Sequence, residues 1–270
     1  MSRAVAGRLT IVGLAVALAA LASACSKPAP PPQPLSVIVT DDLAPLAQEL
    51  TADFNGRQRA AVAATAVVSS RQLPAALARD PEAIAVYYSL SATQALSETV
   101  FAVDAIAVTV ALTNPVESLT PDQIGQIFTG RVSDWAEVGG RAQPMVPLSR
   151  EEGALSREVF EQNFIGRGGR VTRNALVAST DGGMVAMIQS TPGAIGYALL
   201  RALTPEVRPL RIGGVPPSAA AIRQGRYTLV LPVVASAVGT PQAAAAAFLG
   251  YLRGPAGQAI VQSQGFVPVP

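Results

Sequence analysis

The chain has no histidine, one cysteine, one tryptophan and a single lysine, Lys27. Without histidine, Ser-His-Asp and Cys-His nucleophile arrangements cannot be assembled, and His-containing zinc sites are excluded. One cysteine, Cys25, rules out an internal disulfide. Charged residues make up only 14% of the chain while half of it is hydrophobic, mostly Ala and Val, which is a globular α/β composition. Basic residues exceed acidic ones by two, and Arg3 and Arg8 at the N-terminus account for that excess. The remainder is formally neutral, so charge gives no argument for a nucleic-acid partner. At 270 residues there is room for two modest lobes or one large domain.

Arg3 and Arg8 precede an apolar run over residues 11–21, followed by Ala22-Ser-Ala24 and Cys25. A basic start, an apolar core too short to span comfortably and small residues before a cleavage point read as a secretory signal peptide over residues 1–24. Cys25 stands where a bacterial lipobox has its lipid-modified residue. Ala22 replaces the usual Leu, and Ala-x-Ala also suits ordinary signal peptidase. Residues 25–34 are Pro-rich and make an extended, semi-rigid tether. The expectation is an exported protein of the cell envelope, lipid-anchored at Cys25 to a bacterial membrane.

Beyond the tether, periodicity predicts strands over 35–40, 61–68 and 83–88. Between them lie a helix over 45–54, with Leu46, Leu50 and Phe54 on one face, and a short helix capped by Ser70. This β-α-β-α-β order implies a largely parallel sheet with helices on its faces. A long apolar strand is expected over 103–112. Thr120-Pro-Asp-Gln123 then announces a helix over 121–128, and Trp135 is expected in the core. Further strands are expected at 174–177, 193–199, 207–212 and 227–233. Helices are expected from Ser179-Thr-Asp-Gly-Gly183 to residue 188, then over 218–223, 241–252 and 255–262. Gly166-Arg-Gly-Gly-Arg170 lacks the Gly-Lys-Ser/Thr of a nucleotide P-loop and reads as a surface loop.

One stretch concentrates anion-binding chemistry. Met145, Val146 and Leu148 suit the end of a buried strand, Gly153 permits a tight turn, and Leu155, Val159, Phe160 and Phe164 recur at helical spacing. The turn delivers the free N–H groups and dipole of a new helix, which favour an anion. Arg150, Ser156 and Arg157 add guanidinium and hydroxyl donors. The plainer alternative is a helical pair of Arg157 with Glu161, four residues on, while Glu151 and Glu152 satisfy the helix start.

The run 105–110, Asn114-Pro-Val116, residues 119–130, Asp134-Trp135, Val138-Gly-Gly140 and Ser149-Arg-Glu-Glu-Gly-Ala-Leu-Ser-Arg157 resembles the phosphate-binding protein of bacterial phosphate ABC importers. So do Pro192-Gly-Ala-Ile-Gly-Tyr197 and the blocks at 247–252, 257–261 and 265–268, in the same order along the chain. The resemblance implies an α/β, two-lobed periplasmic-binding-protein-like fold with two crossovers and an interlobe cleft. One lobe would hold residues 35–112 and 227–270, the other residues 113–226. It implies a monomeric, non-enzymatic solute-binding lipoprotein that captures a tetrahedral oxyanion, most of all phosphate, for an ABC permease and needs no cofactor. Ligand-binding positions would be Thr40, Ser69, Ser70, Arg150, Glu152, Gly153, Ser156 and Arg157.

The sequence departs from the family pattern at the turn itself. Where the family reads Gly-Ser-Gly-Thr-Arg, this chain has Gly153-Ala154-Leu155-Ser156-Arg157. Ala154 has lost a hydroxyl, and Leu155 puts bulk where glycine lets backbone approach. Thr40-Asp41-Asp42 replaces the family's small-residue loop after the first strand and brings two negative charges, and Val86-Tyr87-Tyr88-Ser89 replaces an Ala-Ser-Arg-like segment after the third strand. A charge-assisted hydrogen bond contributes roughly 1.5–3 kcal/mol, and about 1.4 kcal/mol is tenfold in affinity. Two lost donors would therefore weaken phosphate binding by about two or more orders of magnitude. The departures leave a second reading open: an envelope sensor or interaction protein that kept the fold with an altered or empty cleft.

Overall fold

A computed structural model describes residues 35–57, 63–89, 97–166 and 168–269. The signal peptide, Cys25, the tether and the expected start of the second strand lie outside them. The first elements are β1 (Leu35–Thr40), α1 (Ala44–Arg57), β2 (Ala63–Val68), α2 (Leu73–Arg79), β3 (Ile84–Tyr88) and β4 (Ser97–Ala111). The middle of the chain forms β5 (Ser118–Leu119), α3 (Pro121–Phe128), β6 (Val146–Arg150), α4 (Leu155–Phe164), β7 (Leu176–Ala178) and α5 (Asp181–Ser190). It continues with β8 (Ala194–Leu199), β9 (Val207–Pro209), β10 (Arg211–Ile212) and α6 (Ala219–Arg223). The last elements are β11 (Val230–Ala237), α7 (Ala243–Arg253), α8 (Pro255–Ser263) and β12 (Val267–Pro268). Short 3-10 turns occupy Asp41–Leu43, Trp135–Val138 and Leu200–Ala202.

The main sheet runs β2-β1-β3-β11-β4-β8-β6-β7. β1 is parallel to β2 and β3, and β6 is parallel to β7 and β8, while β11 runs antiparallel to both β3 and β4. β4 is the shared member. Its first part, up to Ala105, pairs with β11, and Ile106 to Val110 pair with β8. The fold is thus two groups of parallel strands, each with helices on its faces, joined through one long strand.

The elements form where apolar spacing demands. β1 reads Leu-Ser-Val-Ile-Val-Thr, and Val37, Ile38 and Val39 are all buried, as suits a strand covered on both faces. Leu46, Leu50 and Phe54 of α1 are buried, with Phe54 edge-on to Phe248 of α7 at 5.1 Å between centroids. Thr120 caps α3 in a capping box. Its hydroxyl accepts the Gln123 N–H at 3.2 Å, and the Gln123 side chain accepts the Thr120 N–H at 2.9 Å. Trp135 is in the core, donating to the Gly193 carbonyl at 3.0 Å.

Three local expectations are corrected. β4 begins at Ser97, well before residue 103, because β11 is long enough to pair with it as far as Ala237. The strand expected over 207–212 is two strands: β9 pairs with β4, then the chain turns away at Leu210 so that β10 pairs with β5. Ser70 does not cap α2. The Gln72 side chain folds back to accept the Ser69 N–H at 3.1 Å and its hydroxyl at 3.0 Å, and the helix begins at Leu73.

Glycine positions test the packing. Gly193 has φ +77°, and a Cβ there would lie 2.2 Å from the Pro144 carbonyl oxygen; Gly153 has φ +83° with open space around it. Gly193→Ala should therefore lose about 2–4 kcal/mol, strain and overlap together, whereas Gly153→Ala should lose only about 1 kcal/mol. Denaturant unfolding of the two variants measures the difference, and equal losses would contradict this packing.

Candidate functional site

The carboxyl ends of both groups of parallel strands converge. β1 ends at Thr40 and leads into Asp41 and Asp42, and β2 ends beside it, with Val68 opposite Thr40. On the other side β6 ends at Arg150, β7 leads into Ser179 and the start of α5 at Asp181, and β8 leads into the turn holding Arg201. The charges of Asp181, Arg150 and Arg201 all act on the Asp42 carboxyl, and Arg201 Nη2 donates to the Asp42 carbonyl at 3.4 Å. In open α/β sheets ligands bind in the crevice outside the carboxyl ends of strands, so this cluster is the candidate site.

Arg150 is at its centre and only 9% exposed. Its Nε donates to the Ala178 carbonyl at 3.2 Å and its Nη2 to the Ser179 carbonyl at 3.0 Å. Its Nη1 lies 2.8 Å from Asp181 Oδ2 and 3.4 Å from the Ser156 hydroxyl. The strand end that carries it is fixed from beneath by Tyr197 of β8. The Tyr197 hydroxyl accepts the Arg150 N–H at 3.2 Å and shares a hydrogen bond with the Ser149 hydroxyl at 2.8 Å. The Tyr197 ring stacks on Phe160 of α4, 3.9 Å between centroids and 6° from parallel. Burial raises the pKa of that phenol, so it stays a neutral donor and acceptor.

The helix that follows is open at its start. Ala154 occupies the N-cap of α4 and makes no side-chain cap; its carbonyl accepts the Arg157 N–H at 3.0 Å, so the N–H groups of Leu155 and Ser156 are the ones at the helix start not taken up within the helix. Ser156 is buried and reaches Arg150. α5 differs: Thr180 caps it by accepting the Gly183 N–H at 2.9 Å. α5 is held by Met184, Val185 and Ile188, which pack with Leu148 of β6 and Ala194 and Ala198 of β8. Full burial of each such side chain contributes roughly 1.5–3 kcal/mol, which anchors the helix start opposite Arg150.

The other expected residues are placed as follows. Thr40 is buried at the end of β1. Ser69 is engaged with Gln72 in the turn into α2, and Ser70 is exposed beside it. Arg157 is spent locally, its Nε on Glu161 at 2.8 Å and its Nη1 on the Arg150 carbonyl at 2.9 Å. The helical pair is therefore present, and Arg157 braces the strand end that bears Arg150. The Glu152 side chain is 84% exposed and 3.9 Å from Arg157. Gly153 makes the turn with positive φ. The Tyr88 hydroxyl turns inward to Asp104 at 2.9 Å.

Sequence reading missed Asp181, Arg201 and the buried Asp104. Asp181 is visible only as the acid in a Thr-Asp-Gly-Gly helix start, and Arg201 carries no local signal at all. Arg201 Nε pairs with Asp104 Oδ2 at 2.8 Å, and its guanidinium lies 5.1 Å from the Phe266 ring centre. Burial pushes the Asp104 carboxyl upward, and Arg201 and the Ala105 N–H pull it back. Burial, then Asp41, raise the Asp42 carboxyl, although the residue as a whole is exposed. Among the described residues no group of three or more His, Cys, Asp or Glu side chains is arranged to hold a metal ion. Two depressions elsewhere, of about 120 and 260 Å³, are lined by one arginine each, Arg226 and Arg141, and by no carboxylate.

A family model described as a PBP superfamily domain matches residues 26–255. The chain belongs to the PBP superfamily. It is 30% identical over 164 residues to the phosphate-binding protein PstS of Bacillus subtilis (strain 168), a match covering 59% of this chain and 54% of that protein. The chain spans about half the length of the curated relatives it matches. An ABC-type phosphate transport receptor from Vibrio cholerae has the same fold, with a TM-score of 0.76 at 21% identity, covering 88% of this chain and 100% of that one. A substrate-binding protein with bound phosphate from Clostridium perfringens superposes with a TM-score of 0.73 at 23% identity, with the same coverage.

Removing Arg201 should expose the worth of its pair. Arg201→Ala leaves the Asp104 carboxylate, 1% exposed, without its counter-ion and should cost about 3 kcal/mol. The Asp104 pKa would then rise further above its unfolded value. The lost stability should therefore be small below the unfolded carboxyl pKa and grow as pH rises through the folded one. Urea melts of the variant across acid to neutral pH check the sign; a deficit that does not change with pH would contradict it.

Proposed function

We propose that this PBP superfamily member is the solute-binding lipoprotein of an ABC importer and captures a tetrahedral oxyanion, most of all phosphate. One observation carries the reading. Arg150, nearly buried, stands at the uncapped start of α4 where the carboxyl ends of two groups of strands meet. A helix dipole, unclaimed N–H groups and a guanidinium at one point are neutralised by an anion. In this reading residues 35–112 and 227–270 form one lobe and residues 113–226 the other. The chain crosses between them in β4 and before β11, and the lobes close on the ligand as hinged domains do. Arg150, Gly153 and Ser156 supply one wall and Thr40 and Ser69 the other. The protein acts as a monomer, exported and held at the membrane by lipid on Cys25, and delivers its ligand to a permease.

The second reading, a non-transport envelope sensor or interaction protein, is favoured by one feature: Arg150 and Arg157 already have protein partners. Calorimetry on the full chain, stripped of carried-over ligand by mild unfolding, separates the two. Phosphate should bind weakly but measurably, Arg150→Ala should abolish binding, and Ser156→Ala should reduce it about tenfold. No heat with any oxyanion at millimolar concentration, or unchanged binding in Arg150→Ala, favours the non-transport reading. The anchor is tested separately: Cys25→Ser should release the protein from membranes, and mass spectrometry finding Cys25 unmodified would remove the lipid from the account.

A further inference from the structure

Arg150 has a tenant already. Its contacts with Ala178, Ser179, Ser156 and Asp181 take up four of the five N–H bonds that a guanidinium carries. Three of those partners are neutral. The fourth, Asp181, is a carboxylate at 2.8 Å with only 18% of its side chain exposed. Asp181 is not needed as a cap, because Thr180 caps α5. Its position is nonetheless well defined. It is the first residue of α5, where the dipole favours a negative charge, and its Oδ1 accepts the Leu199 N–H at 3.2 Å. Both oxygens are thereby aimed, one at the sheet and one at Arg150.

The surroundings add to its effect. Asp42 and Asp41 of the first turn and Asp181 act together on the same crevice, against Arg150 of β6 and Arg201 of the turn after β8. Arg201 is in turn held by Asp104 of β4. Each guanidinium has a carboxylate at 2.8 Å, and the Asp42 carboxyl is acted on by both guanidiniums and by Asp41 and Asp181. An arriving oxyanion must take Arg150 from Asp181 or share it with Asp181 at close range. Like charges held that near repel strongly, because the Arg150 and Asp181 side chains are only 10% and 18% exposed and water screens them little.

We propose that Asp181 is the specificity-determining residue of the cleft, an internal carboxylate that competes with the ligand for Arg150 and admits a singly charged tetrahedral oxyanion over a doubly charged one. This rests on the oxyanion reading of the same site. It assigns the weakness of binding to a competitor inside the protein, in addition to the donors missing from the turn.

The test is calorimetry with inorganic phosphate and with sulfate on the full chain, comparing the unaltered protein with Asp181→Asn, Asp181→Ser and Asp42→Asn. Asn and Ser each keep an acceptor for the Leu199 N–H and drop the charge. Both should bind phosphate roughly tenfold to a hundredfold more tightly and should gain sulfate binding, while Asp42→Asn gains less. The unaltered protein should bind phosphate more tightly as pH falls through the second ionisation of phosphate. Asp42→Asn should keep that profile, which assigns it to the ligand and not to Asp42. Affinity equal to or below that of the unaltered protein in the Asp181 variants overturns the proposal and leaves the oxyanion reading standing. Equal gains in Asp42→Asn and Asp181→Asn also overturn it, since the general field of the crevice would then be responsible. If the Asp181 variants do not fold, a flat pH profile in the unaltered protein overturns it. No oxyanion binding in any folded variant removes the proposal and the oxyanion reading together.

Discussion

The site depends on the cost of burying one guanidinium. Arg150 is 9% exposed, and an unpaired cation at that depth would be strongly destabilising. The protein compensates it with two strand-end carbonyls, a hydroxyl and a carboxylate. Those partners come from β7, the segment after it, α4 and α5, so a single side chain ties four parts of the chain to the end of β6. Tyr197 and Arg157 then fix the backbone at Arg150 from two sides, through its N–H and its carbonyl. The positions of β6, β7 and the starts of α4 and α5 are in this sense set by the need to satisfy one cation.

The same logic recurs at the second guanidinium. Arg201 is balanced by Asp104, whose other oxygen accepts the Ala105 N–H, and Tyr88 donates to the pair. Asp104 lies in β4 next to the point where its partner changes from β11 to β8. The turn after β8 is therefore anchored to the strand that joins the two groups of strands. Both cations are structural and both border the crevice. Scaffold and candidate site therefore share the same groups.

Much of the fold could be read directly from residue patterns. The alternation of Val and Ile in β1, the Leu46-Leu50-Phe54 stripe of α1 and the Thr120 capping box each encode a local element through spacing alone. Strand lengths were less legible. The extent of β4 and the division of 207–212 into β9 and β10 depend on which strand lies alongside, and no short-range pattern carries that. At the site, Arg150, Gly153 and Ser156 could be identified because they stand together in a strand–turn–helix with an apolar helical face. Asp181 and Arg201 could not, since they are 31 and 51 residues away in the chain from Arg150 and meet the crevice only through strand order.

By itself the sequence determined the α/β class, the order of elements, the lack of histidine chemistry and the turn at 150–157 that presents Arg150 to the start of a helix. Those properties follow from composition and from contacts between residues close in the chain. The tertiary structure decided how the charges are spent: Arg157 on Glu161 and the strand end, Arg150 on Asp181, and Arg201 on Asp104. The physical reason is that a guanidinium pairs with whichever carboxylate the fold brings within about 3–4 Å, because the attraction depends on separation in space and on burial and not on separation along the chain.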